Sequence, residues 1–456
     1  MKRWIGLGML AISMLATNAC QSANTSAAAN ALVPCEIALT EHNGDGKLDQ
    51  EIRQIQQKIR GGQNNQRQND QLTLPLIEKL GWSYVEKARG SFDPGYYKLA
   101  EQCAACMDAK RAAFQTTAQA SPAAKVSWNE QSAQSAKASA LLLRGHVLDS
   151  LHRFADAEQI ARELVQTRGM AFDYGLLGDV LMEQGKLDDA ILAYQKMMEL
   201  KPGPQAYSRA AHVHWLKGDT EGARMLMRMS AQSAGQGDAE ASAWAWSKVA
   251  IYELQAGSLK QAQATCDMAL DIKPGYAPAL LARGRVMLAE YKFDEAIPTL
   301  QRAAEFNPLP EYQWTLAEAL RAAHRDDEAK VVEATLNQRG PNDDPRTFAI
   351  YLATRGEQPS KALQLAEEEL KNRHDVYTLD ALAWAQSNAG NHQQAWETMQ
   401  SALATGTQDA RLFFHAAAIA AKSGQTIKAR QYAKQALPLQ MVLLPSEREH
   451  LRQLKT

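Results

Sequence analysis

The stretch YGLLGDVLMEQGKLDDAILAYQKMMELKP, residues 174–202, reads as two short helices around a turn. Leu177 and Leu181 share one helical face before Gly185, and Ala190, Tyr194 and Met197 share another after it. Residues three and four apart lie on the same side of a helix, so each half presents one apolar stripe. Gly185 supplies the left-handed backbone that ends a helix and opens a tight turn. Pro202 cannot continue a helix interior and closes the unit.

The unit recurs. Alanines stand at 157, 190, 223, 262, 296, 329, 362, 395 and 429, at intervals of 33, 33, 39, 34, 33, 33, 33 and 34 residues. Five residues before the alanine is a glycine in five copies: Gly185, Gly218, Gly257, Gly390 and Gly424. Twelve residues before it is a small residue in every copy except the one with Ile350: Gly145, Gly178, Ala211, Ala250, Gly284, Ala317, Ala383 and Ala417. Pro202, Pro274, Pro308 and Pro341 punctuate four copies. A small residue on one helix and an alanine on the next let the two axes approach closely. One such hairpin cannot bury its face alone, whereas stacked neighbours form a continuous core. The 39-residue interval places its surplus in a loop at 233–238.

The runs Tyr174-x-x-Leu177-Gly178-x-x-Leu181 with Gly185, Ala190, Tyr194 and Pro202, and Leu280-x-x-Arg283-Gly284-x-x-Met287 with Ala296, Ala303 and Pro308, resemble the tetratricopeptide repeat. Arg144 and Arg283 depart from it, standing where the family usually has Leu. The resemblance implies an all-α, right-handed superhelical solenoid of about nine to ten helix-turn-helix repeats over 138–441. A degenerate first repeat and connector is expected over 73–137, from Leu80-Gly81-x-x-Tyr84 and from Asp93-Pro94 as a helix cap and start. Residues 442–456 are expected to form a capping helix over the end of the stack, opened by Ser446-x-x-Glu449 as a capping box.

Residues 1–19 have the form of a signal peptide. Lys2 and Arg3 precede an apolar run, Trp4 to Ala16, too short for an ordinary span. Thr17-Asn18-Ala19-Cys20 resembles a bacterial lipoprotein signal, with Thr17 where that family prefers Leu. The resemblance implies lipidation of Cys20 and tethering of the chain to the envelope membrane, the outer membrane being favoured, facing the periplasm. Residues 20–72 would then be a tether and a short helical segment carrying Leu48, Ile52, Ile55 and Ile59 on one face, with Asp49 as N-cap. Formal charge is −1, and losing Lys2 and Arg3 with the signal takes it to −3. This balance gives no basic excess for nucleic acid.

Candidate chemistry is sparse. Glu41 to Ile52 resembles an EF-hand loop through Asn43, Asp45, Gly46 and Leu48. Glu41 replaces the first Asp, however, and Ile52 the bidentate Glu, so a glycine turn leading into a helix is expected rather than a metal site. Cys103-Ala-Ala-Cys106 has redox spacing but falls mid-helix, away from the helix N-terminus that lowers a thiol pKa. A structural bridge from Cys35 to Cys103 or Cys106 is expected, with Cys266 a buried free thiol. No phosphate loop, zincin motif or nucleophile elbow occurs, so neither enzyme activity nor a cofactor is expected. The alternative is an enzyme or accessory subunit of envelope redox or haem chemistry using Cys103 and Cys106.

In this repeat family the first helices line a concave groove. Trp215, Arg285, Trp314, Glu318, Arg321, Tyr351 and Trp384 fall on those helices and are expected to face solvent there and bind a protein or peptide partner.

Overall fold

The computed structural model describes residues 33–63, 70–120, 129–235 and 239–454. The signal peptide, Cys20 and most of the tether, like residues 236–238 of the expected loop, lie outside the described residues. The described residues are helical throughout, with no strand among them. They divide into two compact units, residues 1–89 with 93–147, and 90–92 with 148–456.

The N-terminal unit holds helices Lys47–Gln63, Asp70–Ser91 and Gly95–Ala120, and most of Glu130–Ser150. Cys35 bonds Cys106, while Cys103 and Cys266 are buried free thiols. The Cys103/Cys106 pair expected of a redox motif is therefore not a dithiol. Ile52 is buried in the core of this unit. Asp49 is not the N-cap of its helix. It stands in the first turn, accepts from the Gly46 N–H at 3.1 Å, and lies 2.7 Å from both His42 and Lys87. The Tyr84 hydroxyl donates to the Ala38 carbonyl at 2.9 Å and accepts from Gln56, also at 2.9 Å.

The second unit stacks eight helical hairpins in chain order, from Ala171–Glu183 with Leu187–Leu200 to Ala410–Lys422 with Thr426–Ala436. Helix Phe154–Thr167 precedes them and packs on the first. It is an all-α superhelical repeat. Eight of the nine periodic alanines are completely buried. The small position twelve residues earlier explains how. A Cβ on Gly178 would lie 2.3 Å from Tyr194, and one on Gly284 2.3 Å from Leu300. Each glycine thus receives the side chain four residues past the alanine of its own repeat, and the two axes close on that contact.

All five glycines at the hairpin turn have positive φ, and His152, Tyr291 and His324 adopt it at the same repeat position without being glycine. The turn geometry therefore belongs to the repeat and not to the residue. Pro341 does not end its unit. Helix Asp326–Asp343 runs through it, and Asp344 caps the next helix by accepting from the Thr347 N–H at 3.1 Å.

The superhelix closes on itself. The His374 N–H donates to the Glu183 carbonyl at 2.9 Å, and the Thr407 hydroxyl to the Leu216 carbonyl at 2.9 Å. Gln255 donates to the Gln408 carbonyl at 3.3 Å, and Arg373 pairs with Glu183 at 2.7 Å. Loops of the late repeats thus seat on the ends of first helices of the early ones. Two turn glycines serve this seam as well as their own turns. A Cβ on Gly185 would meet the His374 carbonyl at 2.5 Å, and one on Gly218 the Gly406 carbonyl at 2.6 Å.

Helix Pro445–Gln453 corrects two expectations. Its N-cap is Leu444, because Pro445 takes the first helical position and Glu447 the third. Glu447 reaches back to the Leu444 N–H at 2.8 Å, so the box opens two residues before Ser446. Nor is the helix confined to the end of the stack. It and the 3₁₀ turn Leu437–Val442 lie against helices Ala277–Ala289, Pro310–Ala322 and Ala410–Lys422.

Candidate functional site

Closure turns the inner face of the second unit into a chamber of about 650 Å³. Its wall comes from the first helices of the hairpins. Helix Ala171–Glu183 contributes Asp179, Met182 and Glu183, and helix Pro204–Leu216 contributes Arg209, His212 and Trp215. Helix Ala239–Gln255 adds Trp244, Lys248 and Tyr252, and later helices add Glu311, Trp314, Arg346, Tyr377 and Arg411. Asp149 completes it.

One side of the wall is aromatic. Trp215 stacks on Tyr252 with centroids 4.7 Å apart and 12° between planes, and its indole N–H donates to the Tyr377 hydroxyl at 2.8 Å. Most charges on the wall are matched. Arg209 holds Asp179 at 2.8 Å, Arg346 holds Asp375 at 3.1 Å, and Arg285 holds Glu311 at 3.0 Å. Arg411 bonds Glu447 at 2.6 Å and stands 5.1 Å over the Trp314 ring.

Two groups differ. Lys248 reaches open chamber space, with its ammonium 5.8 Å over Trp244 and no carboxylate in ion-pair range among the described residues. Lys248 is solvent-exposed, and the protein walls crowded around it push its pKa down, against the pull of Glu311. Asp149 is the other. Burial, and then the neighbouring Asp179 and Glu183, hold its carboxyl well above the ordinary range, and its Oδ1 has no hydrogen-bond partner. Glu311 goes the other way. Burial would raise it, but Arg285, Lys248 and Arg411 together hold it below its ordinary value. His212 is pushed down to about 4, by burial first and by Lys248 second.

The structure separates the seven residues expected to bind. Trp215 and Trp314 line the chamber. Arg285 stands behind it through Glu311. Glu318 is buried and accepts from the Ser446 hydroxyl at 2.8 Å and the Ser446 N–H at 3.0 Å. Arg321 pairs at 2.7 Å with Glu333 of its own hairpin. Tyr351 is buried edge-on against Trp314, at 5.8 Å. Trp384 is buried on His415, with centroids 4.3 Å apart, and donates to the Thr354 hydroxyl at 3.0 Å. Trp215, Arg285, Trp314, Glu318, Tyr351 and Trp384 are all buried and do not face solvent as expected; Arg321 alone of the seven is half-buried. First helices of adjacent repeats pack closely enough to cover the aromatics, Tyr351 against Trp314 and Trp384 between Thr354 and His415, and the C-terminal helix covers Glu318.

Arg209, Lys248, Glu311, Arg346 and Arg411 were not singled out by the sequence reading. Apart from Arg346, sixteen before its alanine, they lie one or two turns nearer the helix start than Asp179 and His212. Fourteen residues before the repeat alanine stand Arg209 and Lys248; eighteen before it stand Trp244, Glu311, Tyr377 and Arg411. With Asp179 and His212, eleven before it, they form one helical stripe.

Comparisons with known proteins agree with this architecture. Two tetratricopeptide-repeat family models match, over residues 174–204 and 253–314. No curated protein matches the chain. A solved structure described as the crystal structure of APC/C hetero-tetramer Cut9-Hcn1 is similar at 12% identity, covering 90% of this chain and 97% of that one, with a TM-score of 0.32. Tetratricopeptide arrays mediate protein–protein interaction. The two matched stretches lie inside a periodic array of hairpins with the same helix packing, so the chain carries tetratricopeptide repeats, which support a protein-interaction scaffold.

Proposed function

We propose that the scaffold holds a segment of a partner protein in the closed chamber, and does so while tethered through Cys20 to a bacterial envelope membrane, facing the periplasm. The observation that carries the binding reading is Lys248. It is an accessible cation without a carboxylate partner, set beside Trp244 and the Trp215–Tyr252 stack in a chamber whose other cations are matched. A partner segment with an acidic side chain next to an apolar or aromatic one fits that wall. The carboxylate would answer Lys248, and the apolar group would gain from desolvation on the indoles. Trp215, Trp244 and Lys248 are the residues proposed to bind, with Trp314 buried in the wall behind them. Arg285 positions Glu311 behind them.

The envelope reading is supported by the signal-like N-terminus and by the Cys35–Cys106 bond, since disulfides persist in oxidising compartments. No described helix is long and apolar enough to cross a membrane. In this reading membrane attachment rests on Cys20, and Cys20→Ser should move the protein from the membrane to the soluble fraction.

A photo-crosslinking residue placed at Ser208, which lines the chamber, tests the binding reading with Lys248 left in place, and Glu368, an exposed position on a second helix, is the control. Adducts with one discrete partner from position 208, lost on Lys248→Ala, and none from 368 are expected. Equal adducts from both, or none from 208, would remove the chamber as the binding surface.

A further inference from the structure

The C-terminal segment is bound unlike a structural cap. Leu443, Leu444 and Leu451 are buried beneath it, but so are the charged side chains Glu447 and Arg448. Each polar attachment goes to a different hairpin. Ser446 takes both carboxylate oxygens of Glu318, Glu447 takes Arg411, and Arg448 donates to the Leu288 carbonyl at 2.7 Å. Met441 and Val442 pack on a core cluster that includes Ala250 and Ala282. The segment therefore reaches back across several repeats instead of continuing the stack.

This seat is specific and costly. Arg448 leaves its Nε and Nη1 buried without hydrogen-bond partners, and the Tyr291 ring, 5.0 Å away, is what faces the guanidinium instead. Buried charges give up hydration that their partners recover only when geometry is complete, so such contacts fix register better than they add stability. The apolar part of the helix amounts to one leucine pair and Leu451. The seat is also continuous with the chamber, because Arg411 lines the chamber, stands over Trp314, and holds Glu447.

We infer that residues 437–453 are a displaceable intramolecular ligand, and that the surface beneath them is a docking site for a partner helix of the same chemistry. That chemistry is an apolar pair, then a helix start with a hydroxyl for Glu318, a carboxylate for Arg411, and a guanidinium followed one turn later by leucine. This deepens the chamber reading and rests on it, since a carboxylate that takes Arg411 from the chamber side weakens the hold on Glu447. Occupation of one site is thereby coupled to release of the other.

The probe is a labelled synthetic peptide of residues 437–456, added to the full chain. In the wild type the attached segment competes at an effective concentration in the millimolar range, so the peptide binds poorly. The full-chain variant Ser446→Ala with Arg448→Ala weakens the attached copy and should bind the wild-type peptide at least tenfold more tightly. Adding Arg411→Ala to that variant should abolish the gain. Hydrogen exchange of the wild type gives a reading free of any folding defect. Residues 437–453 should open well before helix Ala410–Lys422, as a separate unit of lower stability. Equal peptide affinity for wild type and variant, or protection of 437–453 equal to that helix, would overturn the inference. A failed crosslink from position 208 alongside successful peptide binding would sink the chamber reading alone.

Discussion

The indole nitrogen of Trp215 and the hydroxyl of Tyr377 are 2.8 Å apart although 162 residues separate them in the chain. Each lies on a first helix, and their bond joins the early and late repeats across the chamber. Tyr377→Phe removes the acceptor and leaves a half-buried N–H without a partner. A loss of about 1–2 kcal/mol in unfolding free energy is expected. Amide exchange should quicken at 371–377 and hardly change at 293–306, which takes no part in the seam.

Gly218 and Gly257 share the same turn position and nearly the same backbone, with φ of 81° and 73°. They differ in surroundings. A Cβ on Gly218 would strike the Gly406 carbonyl, whereas one on Gly257 meets nothing within 4 Å. Gly257→Ala should cost about 1–2 kcal/mol, the ordinary left-handed strain. Gly218→Ala should cost clearly more, because backbone must also move. Matched thermal denaturation of the two variants checks this; equal losses would mean that the seam adds nothing to stability.

Gly284→Leu should destabilise the protein by about 3 kcal/mol or more. A single added Cβ already collides with Leu300 at 2.3 Å in a close helix contact, and overpacking by a few methylenes costs roughly 1–3 kcal/mol. Denaturant midpoints provide the measurement, and lost protection should centre on 277–306.

His212 should make stability depend on pH. Its pKa is about 4 in the fold, against about 6.5 in an unfolded chain. Between these values the unfolded chain binds the extra proton. Stability is thus fully present above about pH 6.5 and falls as pH drops towards 4, by at most about 1.4 kcal/mol per pH unit from this group. His212→Gln should flatten that part of the profile. An unchanged slope between pH 6.5 and 4.5 would show that His212 is not held neutral.

Cys106→Ser opens a bridge between positions 71 residues apart. A loss of about 2–4 kcal/mol is expected in oxidised protein. Reductant should mimic the change in the wild type and have no further effect on the variant.

Much of this was legible in spacing. The alanine period, the small residue twelve before it and the turn glycine five before it are local in sequence, and each does in the structure what hairpin geometry requires. The N-cap of the last helix was legible too, because Pro445 marks the first helical position; reading Ser446 first put the register two residues late. Closure was not legible. It depends on small rotations accumulated between repeats, which bring Glu183 to His374 and Leu216 to Thr407 with no motif at either end. Trp384 and Tyr351 look like exposed anchors within one repeat, and it is the first helices of the adjacent repeats that cover them. The chamber cations were visible as residue types, but which turn of the helix faces inward follows from the same rotation.

The two bonds that close the superhelix both join positions 191 residues apart, Glu183 to His374 and Leu216 to Thr407. A tandem array normally tolerates the gain or loss of a unit, because each unit answers only to its neighbours. This one has a fixed count. Excising one 33-residue repeat from within that span would leave every remaining hairpin intact, yet it would bring the wrong loops opposite Gly185 and Gly218. A unit gained or lost inside the ring would break both bonds, so a change of specificity there is expected to come by substitution within units.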